Sequence, residues 1–373
     1  VARAIIADEA ALDADAGCRS VFLPAGSPLA EGDELRQPEL AKTLGLLAEG
    51  GPDAFYTGEL AERWVAGLSA LGSAITLEDA AAAAPSVEDP ISLEAFGVEV
   101  FTSPPNTQGF SLLRTLRMLA TEELGDPLGG DAAVLAKDFA ANNRIRSRWL
   151  ADPDAGIDAA QLLEMPVPPK EGDARAATGD TVGLVAVSDD GWAVSLVQSV
   201  YWPFGAAVLE PSTGILFQNR GTSFSLDPAH PAAIAAGRRP PHTLMPVLVD
   251  RGGRLAYVLA TMGGQAQAQI HTHLLLRLLA GATAAEATSA PRWIVGAQEE
   301  GDTARTLSVE PEVDAATRDA LLSAGLDLKV LPPDAELGHS NVVVLTGGGY
   351  DAASDPRSDG SAVVVPASAA EAP

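Results

Sequence analysis

The chain has 373 residues, 47% of them hydrophobic, which is enough to bury one large core or two smaller ones. Its 50 acidic and 24 basic residues give a formal net charge of -26, which disfavours binding to nucleic-acid phosphates and anionic membrane surfaces. Cys18 is the single cysteine, so the sequence excludes an intramolecular disulfide and a multi-cysteine metal site, and no apolar run reaches the length of a membrane span.

The segment 38–150 is mostly helical in pattern. Leucines recur there at the spacing of one helix face, as at Leu40, Leu44, Leu47, Leu112, Leu116 and Leu119. We expect both sets to lie in the core. Between them, Ser103-Pro104-Pro105-Asn106-Thr107-Gln108-Gly109 is a turn-rich break that can begin the next helix.

The composition changes at 151–180, where aspartate, proline and glycine are frequent. Asp152-Pro153-Asp154 and Pro166-Val167-Pro168-Pro169 indicate an exposed, flexible connector. This connector is the predicted boundary between two parts of the chain. It separates a first part, 1–180, from a second part, 181–373.

Strand-forming residues dominate from 181 to 201. The run is rich in β-branched and aliphatic residues on both sides of Asp189-Asp190-Gly191, a tight-turn signal, so it predicts two antiparallel strands. Because apolar and polar residues do not strictly alternate, we expect these strands to be buried on both faces.

A strand, two glycines and a helix are predicted farther along the chain. The strand is 255–261, it ends at Met262-Gly263-Gly264, and the helix stops at Gly281 after burying Ile270, Leu274, Leu275, Leu278 and Leu279. The first turn of such a helix points unpaired N–H groups at one spot, which suits negative charge. In this helix His271 and His273 point in different directions, so we exclude a shared metal ion and expect a surface or capping role.

Thr181 begins the first predicted strand directly after the connector. The sequence has neither a G-x-x-x-x-G-K-[ST] phosphate loop nor a G-x-S-x-G nucleophile elbow. If the Asp180–Thr181 bond is cut, the new α-amine titrates near roughly pH 8 and can act as base toward its own hydroxyl. The N–H groups of Gly263-Gly264 would then supply an oxyanion hole. The alternative is an ordinary strand threonine, which β-propensity also favours.

Several motifs stand in a recognisable order. In the first part they are Gly50-Gly51-Pro52-Asp53-Ala54-Phe55-Tyr56-Thr57-Gly58, Pro104-Pro105-Asn106-Thr107-Gln108-Gly109 and Leu150-Ala151-Asp152-Pro153-Asp154. In the second part they are Asp190-Gly191, Thr213-Gly214-Ile215, Gln218-Asn219, Met262-Gly263-Gly264 and Ser354-Asp355-Pro356-Arg357-Ser358-Asp359-Gly360. Over nearly its whole length the chain thereby resembles the γ-glutamyltranspeptidase family of N-terminal-nucleophile hydrolases. The resemblance implies an α+β fold, a four-layer αββα sandwich.

The resemblance also assigns roles to individual positions. Thr181 matches the threonine that is both the self-cleavage nucleophile and the catalytic nucleophile. Ser199 matches a hydroxyl residue that orients it, and Gly263-Gly264 matches the oxyanion-hole glycines. We expect Asp355-Pro356-Arg357 to contribute a structural pair of charges in a loop.

Six positions are expected to line the substrate site: Tyr201, Asn219, Arg220, Ser223, His242 and Thr243. His242 and Thr243 stand where the family has a hydroxyl pair that contacts the substrate carboxylate, which is half a match. Other positions depart from the family pattern. Tyr201 replaces an asparagine, Arg220 and Ser223 replace a glutamine and an aspartate that hold the substrate amine, and Val182-Gly183 replaces a threonine and a histidine.

These departures leave the substrate class open. The resemblance implies a γ-glutamyltransferase-like amidohydrolase that hydrolyses or transfers a γ-glutamyl group, as in glutathione, through a threonyl acyl-enzyme. Arg220 would repel the γ-glutamyl ammonium and suits an acyl group bearing a carboxylate, as in the glutaryl and cephalosporin acylases of the superfamily. An uncleaved, inactive homologue is the non-enzymatic alternative.

The implied partners are a small-molecule amide substrate and the two halves of the chain, a large and a small subunit that stay together as a heterodimer after cleavage. Neither a cofactor nor a metal ion is implied. The family's large subunit normally begins upstream of the position of Val1, so we expect the N-terminal part of that subunit to be missing here. Localisation, cytoplasmic or secreted, would depend on that part.

Overall fold

The computed structural model describes residues 1–122, 124–169, 180–299, 301–333, 335 and 337–365. The helices are α1 (Ala2–Ala7), α2 (Glu9–Ala14), α3 (Ala16–Phe22), α4 (Pro38–Gly50), α5 (Gly58–Ala70), α6 (Leu77–Ala82), α7 (Gly109–Glu122), α8 (Ala132–Trp149), α9 (Ala159–Glu164), α10 (Gln267–Leu279), α11 (Ala284–Ser289) and α12 (Ala315–Leu322). The strands are β1 (Ile91–Ala95), β2 (Val98–Thr102), β3 (Asp180–Val187), β4 (Ala193–Tyr201), β5 (Leu209–Glu210), β6 (Ile215–Leu216), β7 (Val247–Asp250), β8 (Leu255–Met262), β9 (Trp293–Val295), β10 (Thr306–Val309), β11 (Asp327–Val330), β12 (His339–Thr346) and β13 (Gly349–Ser354). Among the described residues, no helix combines the length and apolar character needed to cross a membrane.

The chain forms two compact units. The first consists of Val1–Val87 with Val200–Asn219, and the second of Glu88–Ser199 with Arg220–Pro373. These units differ from the predicted division at 180/181. That division describes where the backbone would be cut, and it stays a prediction.

The first unit holds α1 to α6 and the short hairpin of β5 and β6. Thr43 on α4 is buried and donates to the carbonyl of Thr213 at 2.7 Å. The prediction that Leu44 lies in the core is wrong, since this residue is 57% exposed. Cys18 is buried, and burial together with the nearby Asp15 carboxylate raises the pKa of its thiol to about 12. This thiol therefore stays protonated and unreactive at neutral pH.

The second unit is built on a six-stranded antiparallel sheet in the order β1-β2-β7-β8-β12-β13. Helices α7, α10 and α11 pack on one face of it. The predicted core leucines of α7 and the predicted buried face of α10 contribute to this apolar layer, for example Leu112, Leu116, Ile270 and Leu274. A second, three-stranded sheet, β11-β10-β9, adjoins α8, and Leu321 of α12 belongs to the same core cluster as Leu307 and Val309 of β10.

The hairpin of β3 and β4 stacks on the six-stranded sheet, with β3 against β8 and β12. Successive side chains of a strand point to opposite faces. Accordingly, Leu259 lies in the core under the helices, whereas Ala260 faces Gly183 of β3. The Ser195 hydroxyl of β4 donates to the Leu259 carbonyl at 2.6 Å. The helices, the six-stranded sheet and the β3-β4 hairpin thus form successive layers, and the predicted α+β sandwich fold is confirmed.

The expectation that the hairpin is buried on both faces is wrong. Every second residue of β3 and β4 points away from the large sheet, and these side chains are 44% to 61% exposed: Val182, Leu184, Val194 and Leu196. Apolar and polar residues do not alternate in these strands because the exposed outer face of the hairpin is itself apolar.

Two further expectations for the region before Thr181 need correction. Within the segment predicted to be mostly helical, β1 and β2 form a hairpin around Gly97, whose φ of 73° suits glycine. Part of the predicted flexible connector is also packed, since α9 places Leu162, fully buried, against Phe110 and Ile145. Residues 170–179 of the connector lie outside the described residues.

Asp138 on α8 makes the stability of this fold depend on pH. Its Oδ2 atom is buried without a hydrogen-bond partner among the described residues, and burial with the nearby Glu122 charge raises the pKa of this carboxyl to about 7. From about pH 4 to pH 7 the unfolded chain is therefore ionised at this group while the folded chain is protonated, so stability falls as pH rises. We expect Asp138→Asn to raise the free energy of unfolding by roughly 1–3 kcal/mol at pH 8 and to change it little at pH 4.

Urea denaturation at both pH values measures this effect. Asp319→Asn, at an exposed position of α12, is the matched control and should change neither value. Equal effects of Asp138→Asn at pH 4 and pH 8 would contradict the interpretation.

Candidate active site

The start of β3 lies over β8. A Cβ atom placed on Gly183 would lie 3.1 Å from Cβ of Ala260, so the missing side chain allows this close approach. The Gly183 carbonyl also accepts a hydrogen bond of 2.8 Å from Asn341, which pairs with Ala260 in the sheet. Gly183 is therefore fixed over the Ala260 position.

The end of β3 lies toward the opposite end of β8. Tyr350 Oη is 3.4 Å from the carbonyl oxygen of Ser188, the residue that follows β3. Tyr350 of β13 pairs with Leu345 of β12, and the preceding residue of β12, Val344, pairs with Tyr257 of β8. β3 therefore runs opposite to β8, from the Ala260 position toward Tyr257.

This direction determines where Thr181 lies. It precedes Gly183 by two residues, a rise of about 6–7 Å, so it lies toward the end of β8 that leads into Met262-Gly263-Gly264. Thr181 is 3% exposed. The structure thus brings the predicted nucleophile and the predicted oxyanion turn to the same end of the sandwich.

Ser199 lies opposite Thr181 in the hairpin. The N–H of Ser188 donates to the carbonyl of Trp192 at 2.9 Å and closes the turn. Counting back along both strands from this bond pairs position 181 with position 199. The two hydroxyl residues therefore occupy facing positions at the open end of the hairpin, as an orienting role for Ser199 requires.

The turn after β8 depends on its glycines. A Cβ atom on Gly263 would lie 2.4 Å from Ile270 Cδ1, and Gly264 has a φ of 52° at the start of the 3-10 turn Gly264–Ala266. Gly338, at φ 68°, also packs its backbone against Gly263. Within the described residues neither the Gly263 nor the Gly264 N–H donates a hydrogen bond. Both donors remain available to an anionic oxygen.

Gln108 holds this turn in place, and the sequence did not single out its role. Its fully buried Nε2 donates to the carbonyl of Thr243 at 2.9 Å and to that of Gly264 at 2.8 Å. The residue is part of the turn-rich motif before α7, which is the signal that could have indicated it. Gln108 thereby links the oxyanion turn to the predicted substrate positions.

Four of those positions form one cluster. Arg220 is 8% exposed and donates to Thr243 Oγ1 at 3.2 Å and to Ser223 Oγ at 3.0 Å. Burial and the Arg220 charge lower the pKa of His242 to about 4, so its ring is neutral at pH 7. The Leu244 N–H donates to its Nδ1 at 3.2 Å, which leaves Nε2 as the protonated nitrogen. The cluster presents a buried positive charge and neutral donors.

The other two predicted substrate positions lie in the first unit. Tyr201 is 8% exposed and ends β4 with a φ of 82°, a left-handed conformation that is unusual for tyrosine. The Asn219 carboxamide oxygen accepts from the Trp202 N–H at 3.2 Å, and the Asn219 N–H donates to Val200 at 3.2 Å. Their substrate contacts stay a prediction.

The expected surface or capping role of the two α10 histidines is wrong, because both are 1% exposed. His271 Nε2 lies 3.4 Å from the Thr261 hydroxyl, and the His273 ring packs against Phe139 and Trp293. Burial lowers the pKa of both rings, that of His271 to about 3. No cluster of three or more potential metal ligands is found among the described residues.

Comparison with known proteins gives one consistent result. A family model described as gamma-glutamyltranspeptidase matches residues 1–365. The chain is 36% identical to the oxamate amidohydrolase proenzyme of Klebsiella pneumoniae, over 93% of this chain and 68% of that protein. It is 34% identical to the glutathione hydrolase-like YwrD proenzyme of Bacillus subtilis, over 92% and 68%. The crystal structure of cephalosporin acylase from Bacillus halodurans matches with a TM-score of 0.85 at 28% identity, over 96% of this chain and 68% of that one.

Proposed function

The chain belongs to the gamma-glutamyltranspeptidase family and is an enzyme of the N-terminal-nucleophile hydrolase type, and we propose that it is an amidohydrolase that cuts its own Asp180–Thr181 bond and then uses Thr181 as nucleophile. The cut yields a large subunit ending at Asp180 and a small subunit beginning at Thr181, which stay associated. The observation that carries this proposal is the direction of β3, which brings Thr181 to the end of β8 where Gly263 and Gly264 offer their N–H groups.

The chemistry follows from the groups at this end of the sandwich. The free α-amine of Thr181 takes the hydroxyl proton while Oγ1 attacks the amide carbonyl carbon. The N–H groups of Gly263 and Gly264 stabilise the oxygen that becomes negative. The proton passes to the leaving amine, the C–N bond breaks, and an ester between the acyl group and Thr181 remains. Water, or an amino-acid amine in transfer, then cleaves this ester.

Arg220 supports an acyl group that carries a carboxylate. A guanidinium fixed by two hydroxyl groups and shielded from solvent attracts a carboxylate more strongly than an exposed one does. The same charge opposes the ammonium of a γ-glutamyl group. Oxamate, named in the Klebsiella relative, is an amide whose acyl group bears a carboxylate. We therefore place the substrate among short acyl amides of this kind, with glutaryl amides as the longer variant.

Steady-state kinetics with oxamate, a glutaryl anilide and a γ-glutamyl anilide test this assignment. We expect higher kcat/KM for the carboxylate-bearing acyl groups. Arg220→Gln should lower their kcat/KM by about tenfold to hundredfold and should leave the γ-glutamyl value equal or raised, because the substitution removes both the attraction and the repulsion.

Arg254→Gln, an exposed arginine between β7 and β8, is the matched control and should leave all three values unchanged. Equal preference for γ-glutamyl and carboxylate-bearing acyl groups, unaffected by Arg220→Gln, would remove the basis of the substrate assignment. The proposed self-cleavage would not be affected by that result, because it is tested by the fragments of the purified protein rather than by substrate preference.

A further inference from the structure

A cavity of about 290 Å³ lies in the second unit, and its described lining residues include none of the Arg220 cluster. One stripe of α8 forms a wall, where Lys137, Ala140, Arg144 and Ser147 recur at three- and four-residue spacing. The facing walls are loop segments next to β9, β10 and α12. None of the described lining residues is acidic.

Three cationic side chains line this cavity in a chain with a net charge of -26: Lys137, Arg144 and Arg305. Arg144 Nε is buried without a hydrogen-bond partner among the described residues. A buried donor of this kind costs free energy until an acceptor meets it. An anion in the cavity would provide such an acceptor.

The other lining residues leave room and polar contacts. Six of them are alanine or glycine, so the cavity is open because its walls are small: Ala140, Gly296, Ala297, Ala304, Ala324 and Gly325. Gly296 has a φ of 115°, and a Cβ atom there would lie 3.1 Å from Asn143 Nδ2. Asn143, Ser147 and Gln265 add uncharged hydrogen-bonding groups. These walls favour a small polar ligand over an apolar one.

We propose that this cavity is a binding site for a small organic dianion, a molecule with two separated carboxylate or phosphate groups. Lys137 and Arg144 begin two turns apart on α8, about 10 Å along the helix axis, so each can meet a different acidic group. Arg305, on the segment before β10, also lines the cavity, but it donates to the Gly325 carbonyl and its Nε lies 3.6 Å from Asp327 Oδ2, so Lys137 and Arg144 are the cations assigned to the ligand. The cavity also touches the catalytic turn, because Gln265 directly follows Gly264.

An occupant would therefore contact the residue next to an oxyanion donor and would change kcat. This effect on the rate rests on the proposed function, whereas the binding site does not. The two are separable, because binding can be measured without turnover.

Isothermal titration of the purified protein with succinate and with glutarate, at constant ionic strength, tests the site. We expect binding of both dianions and none of neutral succinamide. Lys137→Gln and Arg144→Gln should each weaken binding about tenfold to hundredfold, since each removes a charge-assisted contact. Lys137 is exposed, so its variant should fold normally even if the Arg144 variant does not.

Two control variants locate the ligand. Arg148→Gln, an exposed arginine of α8 outside the cavity, should bind the dianions as the unaltered protein does. Arg220→Gln should lose only dianion binding at the Arg220 cluster and should keep the binding that depends on Lys137 and Arg144. Affinity unchanged in Lys137→Gln, or lost in Arg220→Gln instead, would overturn the proposal, as would the absence of binding at millimolar dianion. In the same samples, an unchanged kcat at saturating dianion would refute the coupling to catalysis.

Discussion

Replacing Thr181 by alanine is expected to leave the chain uncut and to lower the rate of amide hydrolysis by at least about 10⁴-fold, because the substitution removes the attacking oxygen. The backbone of β3 should be unaffected, since alanine fits the same buried strand position. Electrophoresis of the purified variant reports on cleavage, and turnover of a carboxylate-bearing acyl amide reports on catalysis.

Thr181→Ser is the matched control for this variant. It keeps a hydroxyl at the same position and should still be cut and active, at a lower rate. Cleavage of the Thr181→Ala chain at the same bond would mean that another protease makes the cut. Full activity of an uncut chain would show that the α-amine is not the base.

The second large effect concerns stability. Asp355 and Arg292 form a fully buried ion pair of 2.5 Å, and Arg357 binds Asp355 at 2.9 Å and Glu310 at 2.6 Å. Breaking a buried pair from one side leaves an uncompensated charge. We expect Asp355→Asn to lower the free energy of unfolding by about 3–5 kcal/mol at pH 7. The pairing of Asp355 with Arg357 agrees with the structural role expected from the sequence.

The contribution of Asp355 should disappear in acid. Burial alone would raise the pKa of this carboxyl, but Arg292 and Arg357 outweigh burial and hold the pKa below its usual range. Its stabilising effect is therefore present above about pH 4 and is lost as pH falls through the folded-state pKa. Urea denaturation at pH 7 measures the effect, with Asp359→Asn, an exposed aspartate of the same loop, as control. A change below about 1 kcal/mol for Asp355→Asn would contradict the account.

The sequence predicted the local parts of this fold well. The strands on either side of Asp189-Asp190-Gly191 and the strand, double glycine and helix around Gly263 all depend on short-range patterns. The β1-β2 hairpin was missed because its neighbours on both sides are helices. The exposed outer face of β3 could not be predicted, since residue type alone does not show which apolar face is covered.

The candidate site shows the same limit. Thr181, Ser199 and the Gly263-Gly264 turn were predicted from local signals and resemblance. The contacts that join them are long-range: Gln108 donates hydrogen bonds to Thr243 and Gly264, which lie 135 and 156 positions farther along the chain. The burial of His271 also depends on packing from Thr261 on β8. Such contacts arise only when distant segments meet in the folded chain.

Mass spectrometry of the purified protein tests the central claim most directly. We predict a new N-terminus at Thr181 and, for the 373-residue chain, fragments of 180 and 193 residues that copurify and hydrolyse a carboxylate-bearing acyl amide. A single intact polypeptide that is inert toward oxamate, glutaryl and γ-glutamyl amides would contradict this prediction and would identify the chain as an uncleaved, inactive homologue.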